Sequence, residues 1–280
     1  MGKFDGILFC TDLDGTLYRN DKTISSENKN AIEYFKREGG LFTFITGRLP
    51  YYSSDAYAAI QPNAPYGCTN GGGVYDGERG EYIWALSLPD EWHKIVSDVE
   101  SLCPNVGVEL CAFDTTYFAK ESSATVWHRS AVGLENITCD YKTFSAPVGK
   151  ILFCTDYEDE ILGVERALRE HPLADRFDFI RSERVMFEVL PKGASKGLAL
   201  AKLSEHLKID KKRTVAIGDY NNDVSMILAA GVGIAVANAS EAALRAADIV
   251  TVSNEEHAIA RVISDLESGK ILKSLYKSAL

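Results

Sequence analysis

Short apolar runs recur near both ends of the chain. Apolar residues dominate positions 4–10, 41–45, 215–217 and 233–237, and each run is followed by small or polar residues. Runs of this length without alternation are typical of strands that are buried on both faces of a parallel sheet. Helical segments separate them. The pattern therefore predicts an α/β fold with a doubly wound, mostly parallel, Rossmann-like core.

The middle of the chain has a different pattern. Pro89 and Asp90 open an amphipathic helix that continues through Val99. The predicted order after this helix is two strands at 106–111 and 115–120, a middle helix, a strand at 150–155, a helix at 159–170, and a hairpin of 177–180 with 185–190. We therefore expect an inserted α+β domain of αββαββ type at residues 85–186, with residues 1–84 and 187–280 forming the core.

Length, charge and cysteine content narrow the class of protein. A chain of 280 residues is long enough for two domains of roughly 150 residues each. The net charge of −10 and the lack of a basic stripe disfavour nucleic acid as a partner. Because no apolar stretch reaches the ~18 residues of a membrane span, we expect a cytoplasmic protein without a membrane partner. The six cysteines have no metal-ligand spacing and are expected to be reduced packing residues.

Two aspartates separated by one residue follow the first apolar run. Asp12 and Asp14 belong to the sequence Asp-Leu-Asp-Gly-Thr at 12–16, at the predicted carboxyl end of a strand, where α/β sheets bind ligands. At about 4 Å and an effective dielectric constant near 20, two carboxylates repel each other by roughly 4 kcal/mol. A hard divalent ion such as Mg²⁺ would compensate this repulsion. Turn formation by Asp and Gly is the alternative explanation.

Three later segments place polar residues where apolar runs end or helices begin. Thr46 can donate a hydrogen bond to a phosphoryl oxygen, or it can cap the segment at 50–59. Lys196 opens a predicted helix and can counter phosphate charge, although an exposed first-turn lysine has the same sequence signature. Asp219 and Asp223 are separated by a loop and a helix start, so both can face one site, while capping alone would also explain Asp223.

Taken in order, these segments resemble the four motifs of the haloacid dehalogenase (HAD) superfamily, and within it the Cof-type phosphatases with a large cap domain after the second motif. The matching segments are Asp-Leu-Asp-Gly-Thr at 12–16, Thr-Gly-Arg at 46–48, Gly-Ala-Ser-Lys-Gly at 193–197, and Gly-Asp at 218–219 with Asn-Asp at 222–223. Residues 69–72 are similar to the family's turn before the cap, and residues 233–239 to its late strand and loop. One departure is His257, where relatives usually carry glycine.

The resemblance implies an Mg²⁺-dependent hydrolase with an aspartyl-phosphate intermediate. Asp12 would attack the phosphorus, and Asp14 would act first as acid and then as base. The implied metal site consists of Asp12, Asp14 through its backbone carbonyl, Asp219, Asn222 and Asp223. Thr46 and Lys196 would bind phosphoryl oxygens. The implied substrate-binding residues are Thr46, Gly47, Arg48, Asn70, Gly71, Lys196 and Asn238.

The expected substrate is a small phosphorylated metabolite, with sugar phosphates as the first choice, and the expected assembly is a monomer or homodimer. A phosphomutase or phosphotransferase with the same core residues is the alternative, and a non-catalytic binding protein is a third class on the same fold. Tyr117, Trp127, His128 and Arg129 are candidate pocket residues of the cap, although packing is the more common role of such aromatic side chains.

Two segments imitate active-site motifs. Residues 151–156 repeat the Ile-Leu-Phe-Cys-Thr-Asp of residues 7–12 without the second aspartate, so we interpret Asp156 as a helix N-cap. The segment at 193–197 also matches the nucleophile elbow of serine esterases, with Ser195 followed by Asp219 and His257 in the order that such enzymes require. This esterase alternative leaves the first motif unexplained and places a Pro-Lys pair between the strand and Ser195.

Overall fold

The computed structural model describes residues 2–271, which form two compact units. The first unit contains the described residues up to Trp84 and from Ser195 onward, and the second is Ala85–Ala194. The last part of the expected core, residues 272–280, lies outside the described chain. Within residues 2–271, no helix has both the length and the apolar composition that a membrane span requires.

The helices and strands follow one another along the chain in three stretches. The first stretch has β1 (Leu8–Thr11), α1 (Ser26–Arg37), β2 (Leu41–Phe44), α2 (Ser54–Ile60), β3 (Tyr66–Cys68), β4 (Gly73–Asp76) and β5 (Glu81–Ala85). The second has α3 (Trp92–Leu102), β6 (Gly107–Ala112), β7 (Thr116–Lys120), α4 (Ser123–Val132), β8 (Val148–Cys154), α5 (Glu158–Arg169), β9 (Phe177–Glu183) and β10 (Met186–Pro191). The third has α6 (Lys196–Leu207), β11 (Thr214–Gly218), α7 (Val224–Ala229), β12 (Val232–Ala235), α8 (Glu241–Ala246), β13 (Ile249–Val250) and α9 (Ala258–Glu267).

A parallel sheet with the strand order β13-β12-β11-β1-β2 forms the centre of the first unit. Alternate residues of β1 face opposite sides of this sheet: Phe9 packs in the cluster that contains α1 and α9, whereas Leu8 and Cys10 pack in the cluster that contains α6 and α7. Because both faces are buried, Leu8, Phe9 and Cys10 are all apolar, which explains the continuous apolar run, and the one polar residue of the strand, Thr11, ends it. The predicted doubly wound core is confirmed.

The second unit is an antiparallel sheet with the strand order β7-β6-β8-β10-β9. Two αββ units, α3-β6-β7 and α5-β9-β10, are separated by α4 and β8. Helices α3 and α5 pack on one face, around residues such as Ile95, Val164 and Phe153. The predicted α+β insertion is therefore present, and it contains the middle helix and the extra strand that the αββαββ label leaves out.

Several predicted boundaries differ from the structure. The second unit ends at Ala194 and not at 186, because β10 lies between β8 and β9 in the sheet of this unit and pairs with both. The first strand begins at Leu8 and not at position 4, because a turn with φ of +70° at Gly6 precedes it. The helix expected at 50–59 consists of a 3-10 turn, Pro50–Tyr52, followed by α2.

Candidate active site

The carboxyl edge of the parallel sheet brings the four sequence motifs together. Asp12 follows β1 directly and donates its backbone N–H to the carbonyl oxygen of Ile217 in β11. Thr46 lies two residues beyond β2, and Asp219 directly follows β11. Lys196 is the first residue of α6. Because neighbouring parallel strands end at the same edge, residues from distant parts of the chain meet here.

Three carboxylates and one ammonium group form the buried centre of this site. Side-chain oxygens of Asp12, Asp219 and Asp223 all lie within 4.8 Å of one another. Lys196 Nζ donates to Asp12 Oδ1 at 2.6 Å and to Asp223 Oδ1 at 2.6 Å. The lysine is buried as deeply as the hydrophobic core. A buried ammonium group requires compensated charge and hydrogen bonds, and the two carboxylates provide both.

Asp223 has two sets of contacts. Its Oδ2 accepts the backbone N–H groups of Asp219 and Tyr220, both at 3.0 Å, and its Oδ1 accepts from Lys196. Gly218 makes room for this side chain, since a Cβ on Gly218 would lie only 2.4 Å from the Cβ of Asp223. Capping, the alternative explanation of Asp223, therefore accounts for only one of its two oxygens.

Asp219 is held close to the first motif. The hydroxyl of Thr16 donates to Asp219 Oδ1 at 2.9 Å. Gly15 has a φ of +80°, and a Cβ on Gly15 would lie 2.4 Å from Asp219 Oδ2. Both the backbone conformation and the close approach therefore require glycine at this position.

Burial and charge shift the proton equilibria of these groups. Burial and the neighbouring Asp223 carboxylate raise the pKa of Asp12 well above its ordinary value, against the opposing effect of Lys196. Burial and the Asp223 charge raise the pKa of Asp219 to about 6. Burial alone would lower the pKa of Lys196, but the carboxylates of Asp12 and Asp223 outweigh it, so the pKa is raised and the lysine stays protonated.

The same groups fit a divalent cation. Three carboxylates face one ammonium group, so negative charge is in excess when all three are ionised. The available donors are all oxygen atoms, which is the donor type that Mg²⁺ prefers. Asn222, the other expected ligand, donates through Nδ2 to Asn70 Oδ1 at 3.1 Å.

The side chain of Asp14 contacts two cations outside the carboxylate group. Arg48 Nη2 lies 2.9 Å from Oδ1 and 2.7 Å from Oδ2, and Lys22 Nζ lies 2.9 Å from Oδ1. Burial alone would raise the pKa of Asp14, but Arg48 and Lys22 outweigh it and hold this pKa below its ordinary value. Sequence reasoning missed Lys22, because the residue belongs to no motif and reaches Asp14 only through a turn.

Thr46 and Asn70 lie on neighbouring loops that are joined by backbone hydrogen bonds. Thr46 is buried, its carbonyl accepts the N–H of Asn70, and its hydroxyl accepts the N–H of Arg48 at 3.3 Å. The expected cap of the segment at 50–59 is not observed, since Leu49 holds the N-cap position there without a side-chain bond. Gly71 has a φ of +88°, and a Cβ there would overlap the carbonyl of Ser195.

The loops after β12 and β13 support the loop that carries Asp14. Asn238 Nδ2 donates to the carbonyl oxygen of Gly15 at 2.9 Å, and Asn238 Oδ1 accepts the N–H of Asn254. Asn254 Nδ2 donates to the carbonyl of Tyr18. His257 has a φ of +61°, a left-handed conformation that suits glycine, and this explains the usual glycine at the position.

The segment at 193–197, which imitates a nucleophile elbow, has a structural role. Ser195 is the N-cap of α6, and its Oγ accepts the N–H of Leu198. Within residues 2–271 no hydrogen bond joins Ser195, Asp219 and His257, so the triad that an esterase requires is not assembled. The interpretation of Asp156 as an N-cap is wrong, because Tyr157 occupies that position at α5 without a side-chain cap.

The candidate pocket residues of the second unit make contacts within that unit. Tyr117 donates its hydroxyl to Asp114, and His128 Nδ1 lies 3.0 Å from both oxygens of the buried Glu109. Arg129 bonds to Glu121 and Asn136, whereas Trp127 is exposed. The contacts of Tyr117, His128 and Arg129 agree with the alternative role of these side chains, which is packing within the second unit.

Comparisons with known proteins agree with this geometry. Residues 9–263 match the family of haloacid dehalogenase-like hydrolases. The chain is 28% identical to the phosphatase YwpJ of Bacillus subtilis, over 92% of this chain and 99% of that protein. It is 29% identical to the 5-amino-6-(5-phospho-D-ribitylamino)uracil phosphatase YitU of the same organism, over 92% and 96% of the two chains.

A solved structure is similar over the same length. A haloacid dehalogenase-like hydrolase from Bacteroides thetaiotaomicron superposes with a TM-score of 0.82 at 25% identity, covering 93% of this chain and 99% of that one. The match of the family model spans both units and all four motifs. The chain therefore belongs to the family of haloacid dehalogenase-like hydrolases.

Proposed function

We propose that this protein is an Mg²⁺-dependent phosphatase that hydrolyses a small phosphorylated metabolite, with a sugar phosphate as the first choice, through an aspartyl-phosphate on Asp12. The observation that carries the proposal is the contact of Asp12 with Lys196, beside Asp219 and Asp223 at the edge of the sheet. Among the relatives, YitU of Bacillus subtilis is named for a substrate that contains a phospho-ribityl group.

Asp12 and Asp14 divide the chemistry between them. A carboxylate oxygen of Asp12 attacks the phosphorus, the bond from phosphorus to the leaving oxygen breaks, and that oxygen takes a proton from Asp14. In the second half, water attacks the aspartyl-phosphate, Asp14 takes the proton of this water, and inorganic phosphate leaves. Arg48 and Lys22 contact the Asp14 carboxylate in the free protein, so substrate binding has to draw them away before Asp14 can carry a proton.

Lys196 and the loop residues would neutralise and orient the phosphoryl group. Lys196 supplies a fixed positive charge next to the Asp12 oxygen, where it would offset the negative charge of the phosphoryl oxygens as Asp12 attacks. Thr46 and the backbone around Gly47 can donate hydrogen bonds to phosphoryl oxygens. Asn70 and Gly71 would line the same region, while Asn238 would keep the Asp14 loop in place through Gly15.

Mg²⁺ would be held by Asp12, Asp219 and the backbone carbonyl of Asp14, and when bound it would reduce the repulsion between the phosphoryl group and the carboxylates. Asp223 would act mainly by holding Lys196 and the backbone of residues 219 and 220. Asn222 would connect this region to Asn70. We assign part of the substrate selection to the second unit, which corresponds in sequence position to the cap of the family.

The test is phosphate release from a panel of sugar phosphates, nucleotides, pyridoxal phosphate and p-nitrophenyl phosphate, in Mg²⁺ or EDTA. We expect release that requires Mg²⁺ and is lost in Asp12→Asn. Asp156→Asn is the matched control, because Asp156 ends the same Ile-Leu-Phe-Cys-Thr-Asp sequence in the second unit and should leave activity unchanged.

The product separates hydrolysis from its alternative. Free phosphate supports a phosphatase, whereas an isomeric sugar phosphate without net phosphate release would point to a phosphomutase. A folded wild-type protein that releases no phosphate from any member of the panel would argue against the phosphatase.

A further inference from the structure

We propose that Lys22, together with Arg48, binds an anionic substituent on the leaving group, so that the preferred substrates carry a second negative charge close to the phosphate ester. This inference rests on the proposed function, because it takes Asp14 as the group that meets the leaving oxygen. It assigns a binding role to a residue outside the four motifs and specifies a substrate class: phosphorylated sugar or polyol derivatives with a carboxylate or a second phosphate.

Two cations converge on the single carboxylate of Asp14. Lys22 Nζ lies 2.9 Å from Asp14 Oδ1, and Arg48 Nη2 lies within 2.9 Å of both oxygens. One carboxylate balances only one of the two positive charges, so the three side chains together carry a positive excess. The whole chain has a net charge of −10. A cation in excess of its carboxylate partner can pair with an anion that comes within hydrogen-bond distance.

A tight turn fixes the backbone from which Lys22 reaches Asp14. Lys22 has a φ of +63°, a left-handed conformation that non-glycine residues rarely adopt. Hydrogen bonds close the turn: Lys22 N–H donates to the carbonyl of Arg19, and Arg19 N–H donates to that of Thr23. Asp21 accepts from both the backbone and the hydroxyl of Thr23. The position of Lys22 beside Asp14 is therefore built into the fold of the turn.

Exposure distinguishes Lys22 from the buried lysine of the site. The side chain of Lys22 is 69% exposed and that of Arg48 is 34% exposed, compared with 2% for Lys196. Within the described chain, Asp14 is the only ion-pair partner of Lys22. Exposed ion pairs contribute little to stability, so Lys22 can exchange Asp14 for an anion of the substrate.

Distances define where the second charge must lie. An acid that protonates the leaving oxygen has to come within roughly 3 Å of it. In the free protein Lys22 and Arg48 contact Asp14, so they start within about 6 Å of the position of the leaving oxygen, given ordinary hydrogen-bond lengths. A carboxylate or phosphate about two carbon atoms beyond the ester carbon reaches this distance.

Paired substrates test the inference. 3-Phosphoglycerate and glycerol 3-phosphate have the same primary phosphate ester. At the other end, 3-phosphoglycerate has a carboxylate where glycerol 3-phosphate has a hydroxymethyl group. We expect the wild-type protein to prefer 3-phosphoglycerate by about tenfold in kcat/KM, the contribution of one charge-assisted hydrogen bond. Comparing kcat/KM for propane-1,3-diol bisphosphate with that for its monophosphate tests whether a second phosphate can take the place of the carboxylate.

Lys22→Met should remove this preference, measured as the ratio of kcat/KM for the two substrates, because an effect of the variant on Asp14 itself acts on both substrates alike. Lys208→Met is the matched control. Lys208 also has a left-handed backbone conformation, with a φ of +56°, but it lies at the C-terminal end of α6, whereas Lys196 lies at the N-terminal end. An equal loss on both substrates would mean that Lys22 serves Asp14 or the transferred phosphoryl group. That result, or a wild-type protein without the preference, would overturn the inference.

Binding to an inactive variant separates this inference from the proposed function. Calorimetric titration of Asp12→Asn with the two substrates compares their affinities without turnover. A preference of about tenfold for 3-phosphoglycerate that disappears when Lys22→Met is added supports the inference even if the wild-type protein hydrolyses neither compound. Equal affinities contradict it whatever the activity. Hydrolysis of p-nitrophenyl phosphate, which has no second anion, reports on the proposed function alone.

Discussion

The ammonium group of Lys196 lies 2.6 Å from the carboxylate of Asp12, the first residue after β1. The same nitrogen lies 2.6 Å from Asp223. One buried lysine thus compensates two buried carboxylates that come from β1 and from the start of α7. The stability of the metal-free protein and the charge of the proposed nucleophile therefore depend on the same side chain.

Replacing Lys196 by methionine should destabilise the metal-free protein strongly. Removal of one partner leaves Asp12 and Asp223 buried without compensation, and such a change costs about 3–5 kcal/mol. Urea unfolding in EDTA measures this loss. Adding Asp223→Asn to the Lys196→Met variant should recover part of it, because one uncompensated charge is removed. Wild-type stability in the single variant would contradict the structural role assigned to Lys196.

Asp219→Asn should stabilise the metal-free protein at alkaline pH. The pKa of Asp219 is raised to about 6 in the folded protein, so above this pH the folded state holds an unfavourable charge that the unfolded chain solvates. The penalty is present above pH 6 and disappears below the ordinary aspartate range, near pH 4. We expect the variant to gain about 1–3 kcal/mol at pH 8 and little at pH 4.

Urea unfolding of Asp219→Asn and wild type in EDTA at both pH values measures this difference. Mg²⁺ should act in the opposite direction and stabilise the wild-type protein more than the variant, since the variant loses a proposed ligand. A variant that is less stable than the wild type in EDTA at pH 8 would show that the contact from Thr16 outweighs the charge penalty.

Breaking the buried ion pair of the second unit should destabilise the protein much more than replacing both of its partners with apolar side chains. Lys150 and Glu188 lie 3.0 Å apart on adjacent strands, and both are buried. Glu188→Gln should lower the free energy of unfolding by about 3–5 kcal/mol, while Lys150→Met combined with Glu188→Leu should lose much less. Lys94→Met, which removes an exposed pair with Asp98, is the control and should cost under about 1 kcal/mol.

Glycine at position 257 should stabilise the protein. His257 has a φ of +61°, which costs a residue with a Cβ about 1–2 kcal/mol, and glycine avoids most of this cost. We expect His257→Gly to raise the free energy of unfolding by roughly 0.5–1 kcal/mol. His257→Ala keeps the Cβ and should bring no gain. Thermal unfolding of the two variants separates them, and a gain in the alanine variant would point to the side chain instead of the backbone.

The fold class and the motif residues could be predicted from the sequence alone. Buried parallel strands have no solvent-facing positions, so β1 and β11 appear as continuous apolar runs, and the residues that follow them lie at the ligand-binding edge. That local pattern placed Asp12, Thr46 and Asp219 at the same edge. The roles of these residues stay proposals that the variants above would test.

Other features depend on contacts between residues that are distant in the chain. The apolar pattern of β10 predicts a strand, but it does not predict that this strand lies between β8 and β9. Because β10 pairs with both of them, the boundary of the second unit is at Ala194. The contact of Lys22 with Asp14 depends on a left-handed turn that no motif records. Likewise, the contact of Asp223 with Lys196 requires α6 to pack against the segment that follows β11, whereas the contacts of Asp223 with the backbone of residues 219 and 220 are local. Local sequence determines which elements form, whereas tertiary packing decides which charged groups meet.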